Sequence, residues 1–369
     1  MKPLEILNGR RVLVTGHTGF KGSWLSLWLF RLGASVTGFS LDPPTSPSNF
    51  DVSNIEGILD KHIIGDIRNF ELLRDTIHEC QPDLIMHLAA QSVVKTGYED
   101  PVGTYSTNVM GTVNVLESVR SLQKPCAVFC VTSDKCYENR EQTWGYRECD
   151  ALGESDPYGA SKGAADIAIR SYRKSFFPVD KISSHGVRVG SGRAGNVVGG
   201  GDWTDHGLIA DVVRAFDENK PVEIRNPNAQ RPWQHVLQCL SGYLQVSSGL
   251  LKNESNHYCT AWNFGPSMGN ELPVKSVVNY LKRHWPGATW KDVSSPQDVH
   301  ESQILRLSTD KAIWELKWAP AWNVYQTLDR TAEWFKTWSQ GDSDMQQFSL
   351  KQIEDYEADW SRVGAADEV

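Results

Sequence analysis

The stretch Arg10 to Gly22, "RRVLVTGHTGFKG", decides how the rest of the chain reads. Residues 11–16 form the unbroken apolar, β-branched run of a strand buried on both faces. Glycines follow at 16, 19 and 22, and then comes the amphipathic "SWLSLWLFRLG", which Gly33 is placed to end as a C′ residue. Strand, glycine turn and helix in that order make a cradle for a pyrophosphate. Glycines permit the tight turn and let backbone N–H groups approach phosphate at the helix N-terminus. A GxxGxxG on its own is weak; its place between strand and helix carries the dinucleotide reading.

The pattern repeats outward from there. "SVTGF" (35–39), "HIIGD" (62–66), "DLIMHLA" (83–89) and "AVFCVTS" (127–133) read as strands, with helical "NFELLRDTIHEC" and "TNVMGTVNVLESVRSL" between them. Strands alternating with helices predict an α/β fold, a doubly wound parallel-sheet Rossmann domain with ligands at the carboxyl edge of the sheet. After about Arg188 the character changes to glycine-rich "GSGRAGNVVGGGDW" (190–203) and short mixed segments. A smaller, mostly helical C-terminal substrate domain is expected there. The division predicted is 1–189 with 232–264 for the cofactor domain and 190–231 with 265–345 for the second. Residues 346–369 are expected as a partly disordered tail. Nine of the 14 tryptophans lie beyond residue 260, which reads as packing of a small helical domain.

The charge is −8, from 37 basic and 45 acidic side chains, so nothing favours nucleic acid as a partner. Seven scattered cysteines without a CxxC pair suit free thiols in a reducing cytosol. Met1 to Gly9 lacks the apolar core of a signal peptide, and the run at 23–30 is far short of a membrane span. A cytoplasmic protein without a membrane partner is expected. Isolated His17 and His206 read as structural, and no metal-ligand spacing is visible.

A ribose-binding carboxylate belongs about 20 residues beyond the turn. Counting reaches Ser40, with Asp42 two positions later; Asp42 either meets the ribose or opens the "DPPTSP" turn. No arginine stands in "GFSLDPP" to hold a 2′-phosphate, which favours NAD over NADP. Asp66 and Ile67, after the third strand, either border the adenine or cap a helix. "SDPYGASKGAADIA" places Tyr158 and Lys162 four residues apart on one helix face, with Pro157 suited to its first turn. A free phenol has a pKa of about 10. A neighbouring ammonium and a cationic nicotinamide ring are expected to lower it, so that Tyr158 can take a proton from a substrate hydroxyl.

Together the glycine turn, "HLAAQS" (87–92), "TNVMGT" (107–112), "TSD" (132–134), YGASK and "QRPWQHV" (230–236) resemble the extended short-chain dehydrogenase/reductases acting on nucleotide-sugars. "VTSDKCYEN", "GRAGNVVGGGDW", "QRPWQHV" and "HESQILRLSTDKA" resemble its nucleotide-sugar dehydratases, and among these the members that use CDP-glucose. The resemblance runs from Gly9 to about Trp338. It implies a lyase that keeps NAD as cofactor and serves the start of 3,6-dideoxyhexose synthesis for bacterial surface polysaccharide. It implies oxidation of the glucose C4 by Tyr158, with Lys162 and Ser133 holding the hydroxyl. Loss of water across C5 and C6 would then use Asp134 as acid. Lys135, where relatives acting on dTDP-glucose carry glutamate, is either the base at C5 or a stabiliser of the developing enolate. The chemistry needs Asp134 protonated, which calls for burial.

The resemblance also implies that Gly16, Gly19, Phe20, Gly22, Leu88, Ala89, Ala90 and Asn108 line the cofactor cleft. Ser92 would meet a sugar hydroxyl, and Arg231 and Asn196 the nucleotide diphosphate, with Arg193 and Arg225 read either as further diphosphate contacts or as ordinary surface residues. Gly207 and Ala210 depart from the basic residue and proline common in relatives. Lys21 departs from the usual apolar residue. A homodimer or homotetramer paired through helices near 108–122 and 158–175 is implied. The alternatives are a nucleotide-sugar 4-epimerase, a dehydratase for another NDP-glucose and a non-catalytic NAD-binding regulator. An epimerase needs no Asp134–Lys135 pair, and a regulator needs neither Tyr158 nor Lys162.

Overall fold

The computed structural model describes residues 2–366 except 206, 253–255, 268, 270, 296–304 and 342. His206 and the start of "HESQILRLSTDKA" therefore lie outside the described residues. Seven strands form one sheet: β1 (Arg11–Thr15), β2 (Ser35–Ser40), β3 (Lys61–Ile64), β4 (Leu84–His87), β5 (Cys126–Val131), β6 (Val187–Ala194) and β7 (Ala261–Phe264). Their order is β7-β6-β5-β4-β1-β2-β3, and every neighbouring pair is parallel. The winding reverses between β1 and β4, which is where such sheets open a ligand crevice.

Strand side chains alternate between the two faces. Val12, Val14, Leu84, Met86 and Phe129 join one core layer with α1 (Phe20–Arg31). Leu13, Ile85, Val128 and Cys130 face the other, with α2 (Phe70–Cys80), α3 (Gly111–Arg120) and α4 (Pro157–Ser175). Beyond the sheet come α5 (Leu208–Asp217), α6 (Val236–Leu251), α7 (Val324–Ser339) and α8 (Met345–Ala366).

Residues Gly22 to Leu29 of α1 are all buried. The sheet covers one side of the helix, and α6 and α8 cover others. This overturns the expected disordered tail over most of 346–369. Ile353 and Tyr356 of α8 are fully buried, and Trp28 Nε1 donates to Glu357 Oε1 at 2.8 Å. Residues 367–369 lie outside the described residues.

The other expected boundaries also shift. The cut at 189/190 falls inside β6, and the second region holds short strand pairs besides helices: Gln230–Pro232 with Glu271–Pro273, and Val222–Ile224 with Trp290–Asp292. The late tryptophans do more than fill that region. Trp334 and Trp338 stack edgewise on Trp203 at 5.5 and 5.0 Å, while Trp318 Nε1 reaches Ser241 Oγ of α6 at 2.8 Å.

Candidate active site

The glycine turn closes where β1 ends. Gly16 has φ +78°, and a Cβ there would stand 2.7 Å from the Ala89 amide beyond β4. At Gly22 a Cβ would overlap Gly16 O and approach His17 Cα to 2.7 Å. These are the backbone approaches a pyrophosphate cradle requires, so the chain's residues fit a dinucleotide. Beside the turn, Thr18 donates to Leu41 O at 2.9 Å and accepts from Ser40 Oγ at 2.9 Å. Ser40, at the position where counting along the chain expects the ribose contact, thus carries a hydroxyl pair with Thr18, while Asp42 is exposed in the following bend.

The other proposed cofactor residues divide. Leu88, Ala89 and Ala90 are half-buried along the turn's far wall. Asn108 sits in a wide, π-type turn, Ser106–Met110. Its Oδ1 accepts from Gln91 N at 2.8 Å, and its Nδ2 donates to Gln91 O and Ser161 Oγ, tying the β4 exit to α4. Ile67 is buried against Gly111 in the core, so its side chain does not face the cleft. Asp66 is occupied by Arg68, whose guanidinium binds it at 2.6 and 2.9 Å and whose amide donates at 2.8 Å. That arginine holds the carboxyl below its usual range, so Asp66 closes a turn rather than waiting for adenine.

Buried histidines frame the turn. His87 hydrogen-bonds Thr15 Oγ1 at 2.7 Å and Thr112 Oγ1 at 3.0 Å, and Thr112 spends its own proton on Asn108 O. Nε2 must therefore donate and the ring is neutral, as burial, which lowers its pKa to about 3, also dictates. His17 is likewise pushed down to about 3 by burial and bonds His62 at 2.7 Å. Both are structural.

Asp156 caps α4 through the Gly159 amide at 2.9 Å, and Pro157 opens its first turn. This aims Tyr158, 8% exposed, back at the exit of β5. Burial raises the phenol's pKa and the Asp134 and Asp156 charges add to that, while the Ser133 hydroxyl opposes it when its one proton turns from Asp134 to the phenol. The phenol of the chain alone is thus pushed up. The expected lowering is absent because the required positive charge is not among the chain's groups that dominate here. Lys162 is buried and pushed down to about 8, first by burial and then by the charge of Lys21.

Asp134 is 3% exposed. Its Oδ1 accepts from Ser133 Oγ at 3.0 Å and from the Lys135 amide at 2.8 Å. Its Oδ2 is buried with no hydrogen-bond partner among the described residues. A buried, bare carboxyl oxygen is costly unless a proton or a ligand meets it. Lys135 is half-buried, and its ammonium makes no ion pair or hydrogen bond with any described residue.

The nucleotide side is mixed. Arg193 is a correction: it is 3% exposed and grips Asp166 with two bonds of 2.8 and 3.0 Å. It also donates to Tyr137 Oη at 2.7 Å. Its guanidinium is consumed inside the fold and offers nothing to a substrate. Arg231 lies on the strand Gln230–Pro232 and donates to Gln230 O at 2.9 Å, while Arg225 is exposed on the neighbouring segment. Asn196, at φ +29°, is half-buried just beyond β6, and Ser92 is exposed beyond β4.

Three contributors escaped the sequence reading. Asp156 was legible as Asp-Pro before a helix. Gln234, which clamps Gly195 O and Phe264 O at 3.0 and 3.1 Å, carried no local signal, and neither did Gly195, whose bare Cα faces the Asp134 carboxyl.

A parallel sheet with a glycine cradle, a Tyr-Lys pair and a buried acid at one edge defines a nucleotide-sugar enzyme of the short-chain dehydrogenase type. The chain belongs to the GDP-mannose 4,6 dehydratase family, whose model matches residues 13–331. It is 47% identical over 349 residues to the CDP-glucose 4,6-dehydratase of Salmonella typhimurium, covering 94% of this chain and 96% of that one. A dTDP-glucose 4,6-dehydratase of Xanthomonas campestris pv. campestris is 26% identical over 349 residues, covering 89% and 95%. The structure of dTDP-glucose 4,6-dehydratase from Bacillus anthracis in complex with NAD superposes with TM-score 0.72 at 24% identity, covering 90% and 98%. That likeness bears on the fold.

Proposed function

We propose that the chain converts CDP-D-glucose into CDP-4-keto-6-deoxy-D-glucose and water with NAD as its resident cofactor. The observation that carries this reading is the joint placement of Tyr158, Ser133 and Lys162 with the buried Asp134, in a chain 47% identical to a CDP-glucose 4,6-dehydratase. Bound NAD would supply the acceptor for the C4 hydride and its return at C6, with no net redox change. The glycine turn with Phe20 would hold its pyrophosphate, and Ser40 with Thr18 its ribose.

Tyr158 takes the C4 hydroxyl proton, with Ser133 bonded to the phenol and the Lys162 charge favouring phenolate. The C4 ketone acidifies the C5 hydrogen by turning the carbanion into an enolate. Lys135 as a neutral amine would remove that proton; as an ammonium it would steady the enolate with its charge while water takes the proton. Asp134 gives its proton from Oδ2 to the C6 oxygen, the C6–O bond breaks and water leaves. A proton returned to C5 completes the product. Arg231 and Asn196 face the diphosphate, for which arginine's planar fork is suited.

Exposed Tyr98, Val102 (79%), Tyr105, Met110 and Ile167 lie on the helices around α3 and α4 and support pairing of two copies there. No described helix is long and apolar enough to cross a membrane, and all seven cysteines are free, which supports a cytosolic setting.

Incubation with CDP-, dTDP-, GDP- and UDP-glucose, reading the ultraviolet absorbance of the 4-keto product in alkali, tests the proposal. CDP-glucose alone is expected to give the signal. A faster dTDP-glucose reaction would point to another dehydratase, and CDP-galactose without water loss to an epimerase.

A further inference from the structure

The Asp134–Lys135–Cys136 turn rests on bare backbone. On α4, a Cβ at Gly159 would stand 2.7 Å from Lys135 O, and one at Gly163 would stand 3.0 Å from Cys136 O. On the opposite side, a Cβ at Gly195 would overlap Asp134 Oδ2 and approach Oδ1 to 2.8 Å. Gly195 has no positive φ, so an L residue fits its backbone. Its carbonyl is clamped by Gln234 Nε2, which also binds Phe264 O in β7. The backbone wall is therefore anchored, whereas the Asp134 carboxyl is the free end of a side chain and can turn.

We infer that Gly195 is a positioning residue for the loss of water. By carrying no side chain it leaves the seat in which Asp134 holds Oδ1 on Ser133 and the Lys135 amide and lays Oδ2 against the glycine Cα, the position from which the carboxyl would serve the departing oxygen. A methyl group at 195 turns the carboxyl out of that seat. The three atoms nearest a Cβ at Gly195 all belong to the Asp134 carboxyl, so the methyl group acts on Asp134 first and C4 oxidation is expected to survive. The inference rests on the dehydratase reading and adds to it the residue that commits the oxidised sugar to elimination.

The test is Gly195→Ala mixed with CDP-glucose and NAD in a stopped-flow instrument. Formation of NADH is expected to persist, with KM little changed, while 4-keto-6-deoxy product appears roughly 10²-fold or more slowly, the share a general acid contributes. Product released at the wild-type rate overturns the inference. In an Asp134→Ala background, adding Gly195→Ala is expected to leave the residual rate of water loss unchanged, and a further slowing overturns it. Should Gly195→Ala lower the melting temperature, the Asp134→Ala background is expected to restore it, because the clash is gone; an equal loss in both backgrounds overturns the contact. A wild-type enzyme inert toward CDP-glucose counts against the functional reading, and the melting comparison then judges the contact alone.

Discussion

Trp28 Nε1 donates to Glu357 Oε1 at 2.8 Å, joining the first long helix to the last across 329 positions. The other carboxyl oxygen accepts from Arg31 Nε at 3.1 Å. A glutamate so placed satisfies an indole and a guanidinium at once, and it helps to cover an N-terminal helix that is buried from Gly22 to Leu29. The helix bearing the pyrophosphate cradle at one end is thus held from outside by the chain's C-terminal segment.

Replacing Glu357 with alanine leaves the Trp28 N–H bare in a buried site. Bonds to charged groups contribute about 1.5–3 kcal/mol, and the loss is expected in that range. Urea unfolding followed by tryptophan fluorescence measures it, and an unchanged midpoint would mean that α8 does not hold α1.

The Arg193–Asp166 pair makes a different prediction. Asp166→Ala strands a buried guanidinium and is expected to cost roughly 3–5 kcal/mol. Because Arg193 is spent inside the fold, folded Asp166→Ala protein should keep a near wild-type KM for CDP-glucose. A large rise in KM with undiminished stability would return Arg193 to the substrate.

Lys162 sets a pH dependence. Its pKa is lowered from 10.5 to about 8 by burial and by Lys21. The ammonium that favours phenolate is lost as pH rises through about 8, so kcat/KM for C4 oxidation is expected to fall there. Lys162→Arg should carry the falling limb to higher pH. For stability the sign is opposite: the unfolded chain keeps this proton up to about pH 10.5, so the group's contribution improves between pH 8 and 10.5.

Local features were the readable ones. The β1 turn announces itself because Gly16 and Gly22 are forced by contacts within a few residues or with the adjacent strand. Tyr158 and Lys162 share a helix face by spacing alone. Arg193 misled because its partner, Asp166, lies on another element, and an arginine near a diphosphate site reads the same whether paired or free. In α8, Phe348, Ile353, Tyr356 and Trp360 recur near helical spacing, but the surface that buries them lies on α1, some 329 positions away at the Trp28–Glu357 bond, so the segment's local pattern does not tell a docked helix from a loose tail. The raised Tyr158 phenol depends on burial, which no local pattern of residues reveals.

The central claim is that the buried Asp134 hands the proton to the leaving oxygen. Rapid mixing of Asp134→Asn with CDP-glucose and NAD tests it most directly, because the amide keeps the shape and has no acidic proton. NADH absorbance that rises and persists, with no alkali-absorbing 6-deoxy product, is the predicted result. Product formation at the wild-type rate would contradict the account.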